Sequence, residues 1–446
     1  MKNTRSTSIS IEDVPLNGFH QLMTVRTGGG WVMDGYVLSI IGVAMMQFSE
    51  ELQLTTFWQG MIAASALIGI FFGGFLGGKL TDILGRRKLY FVGPVLFTLC
   101  SLGQFWAESG LALFLYRFLI GIGVGFEYPV AGSLLTEFLP RKYRGSRLAM
   151  LTILWFAGAA LSYIVGQLIM THGGPDAWRW VLASPVVIGV LLFLVRLGSP
   201  ESPRWLLSKG RLDEADGVIK KVYGPAFSLA NLPEHASEKK LSLGSLLSSG
   251  YGKRMLFVAV FWSCSVIPVF AVYSFAPTVL QALNLKGDWA SYGSVVITLM
   301  FVVGCIVATR LIDVIGRRNL VIHSFLWSAL ALLGLGAFSS GAQWLVLLLF
   351  SAYAIFIGGA QVLQLVYPNE LFPTEIRAFA VGMGASLSRI GAAVGTWLVP
   401  ISLQAIGIGN TMFAAAAVSL VGLVVSVALA PETRGMSLEE AASLRR

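Results

Sequence analysis

Apolar residues along this chain run in long unbroken blocks rather than recurring every two, three or four positions. Twelve blocks approach or exceed the ~20 residues that a helix needs to cross a ~30 Å hydrocarbon layer. They span 25–48, 58–79, 89–107, 111–138, 147–171, 178–198, 253–281, 290–311, 319–340, 343–369, 377–404 and 410–430. The pattern predicts an all-α polytopic membrane protein with twelve transmembrane helices. The first block follows a polar tail and is too long for the apolar core of a cleaved signal peptide. From Pro203 to Tyr223 the pattern changes. Leu206, Leu207, Ala215, Val218, Ile219 and Val222 form a broken apolar stripe among charges, which predicts a surface helix bracing both halves.

Composition agrees with the blocks. The chain is 55% hydrophobic and 12% charged, with a mean hydropathy of +0.74, where soluble domains carry roughly 25% charged residues. Cys100, Cys264 and Cys305 all fall inside spans, so no disulfide framework is implied. The net charge of +9 changes the picture only through its distribution. All of the 32 Lys and Arg except Arg117, Arg179, Lys286 and Arg389 lie in the tails, in alternate loops or at the adjoining span ends. A surface for nucleic acid would not alternate in this way. The positive-inside rule accounts for it and places both termini and the 199–252 loop in the cytoplasm.

The chain repeats itself. "DILGRRKL" at 82–89 recurs as "DVIGRRNL" at 313–320, "TEFLPRKYRG" at 136–145 as "NELFPTEIRA" at 369–378, and "PESPR" at 200–204 as "PETRG" at 431–435. The offsets are 231, 233 and 231 residues. A duplicated six-span unit follows: an N-terminal bundle over 1–198, a linker over 199–252, and a C-terminal bundle with its tail over 253–446. Parallel six-span halves related about the membrane normal hold substrate near the midplane between them.

"GKLTDILGRR" at 78–87 resembles the loop 2–3 signature of the major facilitator superfamily. Arg117, Gly121, Gly125, Glu137, Pro140, Arg144 and Gly145, with "PESPRWL" and "PETRG", are similar to the sugar-porter clan. The resemblance implies alternating access between two pseudo-symmetric bundles. No nucleophile–base pair or metal-ligand spacing appears in the sequence and its four His stand at 20, 172, 235 and 323, so no enzymatic step, metal or cofactor is expected. The resemblance also implies that Asp82, Arg86, Arg87, Glu137 and Arg144, and in the second half Asp313, Arg317, Glu370 and Arg377, form latches between the bundles. "GIGVG" at 121–125 has no strand before it and reads as close helix packing rather than a dinucleotide loop.

Asp34, Arg117, Glu127 and Arg389 lie within spans, where an Arg or Asp at a helix centre costs about 2.5–3.5 kcal/mol on insertion scales. Such residues face partners or water-filled cavities, and spans 1, 4 and 11 line the cavity in this fold. Counted along their helices at about 1.5 Å per residue, Asp34, Glu127 and Arg389 share one depth. Arg117 is nearer the opposite face. Two carboxylates at one level favour holding a proton between them, so Asp34, Glu127 and Arg117 are the expected proton-coupling groups, with Asp34 first. Proton-linked sugar porters pair an Asp on span 1 with the Arg matching Arg117. Their acid lies in "GYD", whereas Asp34 lies in "MDGY".

Arg389, in "GASLSRIGAAVG", resembles span 11 of organic anion transporters and bacterial niacin carriers. A guanidinium offers a planar fork to a carboxylate. The expected substrate is therefore a small organic anion, such as nicotinate or a benzoate, moved with protons. Tyr36, Trp155, Trp262, Tyr273, Tyr353, Gln361 and Gln364 join Arg389 as expected contacts, with Trp31, Tyr128 and Phe270 as further aromatic candidates. The alternatives are a sugar, sugar-acid or drug carrier, or a membrane sensor that transports nothing. Span 7 lacks the paired Gln by which sugar porters hold hydroxyls. The short loop between spans 1 and 2 points to a bacterial inner-membrane protein, and a monomer is expected.

Overall fold

The structure is a computed structural model that describes residues 9–232, 250–436 and 438–443. Among the described residues, ten helices are long and apolar enough to cross a membrane. Span 1 is Gly18–Glu51, span 2 Thr56–Leu84, span 4 Gly110–Phe138 and span 5 Arg141–His172. Span 7 is Gly252–Ala282, span 8 Asp288–Ile315, span 9 Arg317–Ala337 and span 10 Gln343–Leu371. The count reaches twelve because of two local breaks. Span 3 is two helices, Arg86–Tyr90 and Val92–Gln104, divided at Phe91. Spans 11 and 12 run together as Thr374–Leu429 until Gly407, whose φ of 78° breaks the helix. Span 6 is Ala177–Ala183 followed by Pro185–Arg196.

The halves repeat their packing. Span 2 lies on span 4 and span 1 on span 5, as span 8 lies on span 10 and span 7 on span 11. Small residues permit this. A Cβ on Gly121 or Gly125 would enter the backbone of span 2, and one on Gly358 the backbone of Gly304, so "GIGVG" is a packing motif. Spans 1 and 7, 2 and 11, and 5 and 8 join the halves.

Among the described residues, the loop-to-span charges for which a pair is seen make it within one half. Arg86 reaches Glu137 at 3.3 Å, within the first half. Arg317 reaches Glu370 at 3.1 Å and Asp313 at 2.8 Å, within the second. Glu201 accepts the backbone N–H groups of Arg86 and Arg87, and Ser202 donates to Glu137. Glu432 accepts those of Arg317 and Arg318, and Thr433 donates to Glu370. Each carboxylate thus caps the start of a helix whose first amides lack internal partners. The side chains of Asp82, Arg144 and Arg377 lie outside the described residues.

The surface stripe forms two helices, Pro203–Ser208 and Leu212–Tyr223, separated at Gly210 with φ 72°. Leu206, Ala215, Ile219 and Val222 are buried as the pattern predicts. The contacts run to the first half: the Tyr223 hydroxyl donates to the Phe138 carbonyl, and Asn17 to that of Val222. A brace across both halves is therefore corrected to a brace on one.

Candidate functional site

Between the halves lies a cavity of about 570 Å³. Spans 1, 2, 4 and 5 supply one wall and spans 7, 10 and 11 the other. Its lining continues to Gly132, Leu148, Asn369 and Gly382, toward the face that carries both termini. The opposite face is shut. There the Tyr163 hydroxyl donates to the Tyr273 carbonyl at 2.7 Å, with Gly42 packed against both groups. Gly60 likewise packs on the carbonyl of Trp397.

Five of the expected contact residues line the cavity: Trp155, Trp262, Gln361, Gln364 and Arg389. Trp31, Phe71, Tyr128 and Phe270 add aromatic faces, and Thr152, Asn369 and Ser386 add neutral polar groups. Gln361 donates to the Ser265 carbonyl at 2.7 Å, while Gln364 donates to the Ser265 hydroxyl and to Gln361. The two amides are thereby fixed against span 7. The indole N–H groups of Trp31 and Trp262 are buried and carry no protein partner.

Three expected residues lie elsewhere. Tyr36 is buried with its hydroxyl 2.8 Å from that of Ser184 on span 6. Tyr273 and Tyr353 pack on Phe301 in an aromatic cluster behind the cavity wall. These spans are apolar on every side, so no periodicity marks the face that turns toward the cavity.

The intramembrane charges come together in part. The charged groups that face Asp34 are Glu127, Arg196 and Arg389, as the shared depth predicts for Glu127 and Arg389. Arg196 is the residue that the sequence hides, because it closes span 6 and reads as one more positive charge beside a loop. It is fully buried and bonds both carboxylate oxygens of Glu127. It also donates to the Tyr90 carbonyl at 2.7 Å and stacks 3.8 Å over that ring. Glu127 is thus half of a buried ion pair. Arg117 is not among the groups that act on Asp34. Its guanidinium lies 3.4 Å from the carbonyls of Val37 and Leu38, and Val37 stands where the porters' "GYD" has its acid. Asp34 is left buried with neither oxygen hydrogen-bonded. Arg389 sits 5.6 Å from the Tyr128 ring and 5.3 Å from that of Phe270, with no ion pair among the described residues.

Comparison with known proteins agrees with the fold. Inner membrane metabolite transport protein YgcS of Escherichia coli K12 is 38% identical over 98% of this chain and 97% of its own. The arabinose-proton symporter of Bacillus subtilis 168 is 26% identical over 95% of this chain and 94% of its own. The xylose transporter XylE of E. coli, in a partially occluded inward-open conformation, superposes with a TM-score of 0.81 at 22% identity. That match covers 94% of this chain and 100% of the other, and it establishes the twelve-span fold. These similarities leave the organic-anion branch to be argued from the site alone. Residues 23–444 match the family described as sugar (and other) transporter, and the chain belongs to that family, within the major facilitator superfamily.

Proposed function

We propose that the protein is a proton-coupled secondary carrier for a small hydroxylated metabolite of the sugar class. Bundles 1–198 and 253–446 would rock about the cavity, with 199–252 as linker and the face bearing the termini in the cytoplasm. The observation that carries this reading is the cavity wall. Neutral donors and acceptors on Gln361, Gln364, Asn369, Thr152 and Ser386 alternate there with indole and phenyl faces. Such a wall suits hydroxyls borne on flat C–H surfaces. The arabinose-proton symporter among the relatives supports both the substrate class and the proton. YgcS supports a bacterial inner membrane.

Asp34 is the group assigned to the proton. An ionised carboxylate that is buried and unbonded is costly to hold, whereas the neutral carboxyl is tolerated there. Its protonation therefore favours one conformation over another, which is what coupling requires.

A second reading rests on Arg389, a cation in the cavity wall with no ion pair among the described residues. It favours a substrate bearing a carboxylate, either a sugar acid or an aromatic acid such as nicotinate or a benzoate. Uptake into proteoliposomes under an inward proton gradient decides between them. The panel should hold neutral pentoses and hexoses, their uronic and aldonic acids, nicotinate and benzoate. Accumulation of neutral sugars supports the first reading, accumulation of acids alone the second. Gradient-independent equilibration of every compound would refute proton coupling.

A further inference from the structure

We propose that Asp34 and Arg389 form an ion pair across the two bundles in the empty, deprotonated carrier, and that substrate competes with Asp34 for this one guanidinium. The inference rests on the transport reading above and adds the residues by which proton and substrate sense each other. It follows from elimination among the cations near Asp34. The charged groups facing it are Glu127 on span 4, Arg196 on span 6 and Arg389 on span 11, and Tyr128 of span 4 stands beside it. Arg196 is already committed to both oxygens of Glu127 and to the Tyr90 carbonyl. Arg117 is turned to the Val37 and Leu38 carbonyls. Arg389 remains, and it comes from the other bundle.

The geometry leaves both partners open. Neither Asp34 oxygen has a hydrogen bond, and Arg389 rests on the rings of Tyr128 and Phe270 rather than on an anion. Tyr128, itself braced edge-on by Trp31 at 5.1 Å, carries Arg389 on its ring and interacts with both charges. In this structure the pair is broken, with the cavity continuing toward the termini. Loss of the Asp34 proton leaves a carboxylate that faces Arg389, a cation with no ion pair among the described residues. Their attraction draws span 1 to span 11 and narrows the cavity. A proton on Asp34 abolishes the attraction and frees the guanidinium for a hydroxyl or carboxylate of the substrate. One cation therefore serves two exclusive partners, and an empty, unprotonated carrier returns without cargo.

The test uses the full-length protein in lipid nanodiscs with no substrate. Cysteines replacing exposed Lys142 and Asn319, at the ends of spans 5 and 9 near the termini, carry spin labels, and the three native cysteines are buried. Pulsed dipolar spectroscopy then reads the distance between the halves. A shift toward shorter distances is expected on going from about pH 5 to about pH 9, a range wide enough to titrate a buried carboxyl. Asp34→Asn and Arg389→Gln should each hold the long-distance distribution throughout, whereas Arg389→Lys keeps a charge and part of the shift. An unshifted wild type overturns the proposal. So does a shift that survives in Arg389→Gln, or one that survives in Asp34→Asn and thereby belongs to another group. Because no substrate is present, failure here leaves the uptake test of the transport reading standing, and failure of uptake leaves this result readable.

Discussion

Arg196 and Glu127 show how burial changes the meaning of a charge. In the low-dielectric bundle each ion is tolerated because the other bonds it twice, and removing one strands its partner. Arg196→Ala should therefore destabilise the protein by about 3–5 kcal/mol, visible as a lower unfolding midpoint in detergent. Combining Glu127→Gln with Arg196→Met should recover part of that loss. No recovery would mean that Arg196 acts mainly through Tyr90. Asp34 behaves differently because its oxygens bond to nothing. Asp34→Asn imitates the neutral carboxyl alone, so substrate exchange across proteoliposomes should persist while gradient-driven accumulation is lost. If accumulation survives, the proton is carried elsewhere.

Between residues and bundles, the repeated unit is a carboxylate seated on a helix start. Gly85 and Gly316, at φ 93° and 87°, turn the chain so that Glu201 and Glu432 reach the first amides of spans 3 and 9. A side chain at either glycine would meet that carboxylate as well as the strain of positive φ. Glu201→Ala and Glu432→Ala should each cost about 1–2 kcal/mol, as loss of a helix cap does. Their effects should add within about 0.5 kcal/mol, because the two networks share no partner. Marked non-additivity in chemical unfolding would instead show that the networks communicate between halves, as a latch requires.

For the whole molecule, closure at the face opposite the termini depends on glycine. Gly60 allows span 2 to lie on the Trp397 carbonyl, and Gly42 lets span 1 reach the Tyr163–Tyr273 contact. Gly60→Trp should wedge spans 2 and 11 apart and populate an outward-open state. A cysteine at Gln364 would then react faster with an impermeant maleimide added outside cells than it does in the Gly60 parent. Equal rates would exclude Gly60 from the gate. Orientation has its own test. A cysteine at Phe227, in the segment after span 6, should be labelled only from the cytoplasmic side, since the charge bias assigns that segment to the interior.

Span number, the two-fold repeat and the presence of Asp34, Glu127 and Arg389 at one depth were all determined by the sequence. Each depends on quantities read along the chain: apolar length, charge position and rise per residue. Helix rotation was not determined in this way. Spans apolar on all sides carry no stripe to show which face meets the cavity, so Tyr36, Tyr273 and Tyr353 could not be told from Trp155 and Trp262. Nor could Arg196 be told from a loop charge, because its partner Glu127 is 69 residues away and is brought near only when spans 4 and 6 pack. The tertiary structure decided which charges are already paired. It thereby left Asp34 and Arg389 open, since a buried ion's role is fixed by the neighbours that neutralise it, and those come from other helices.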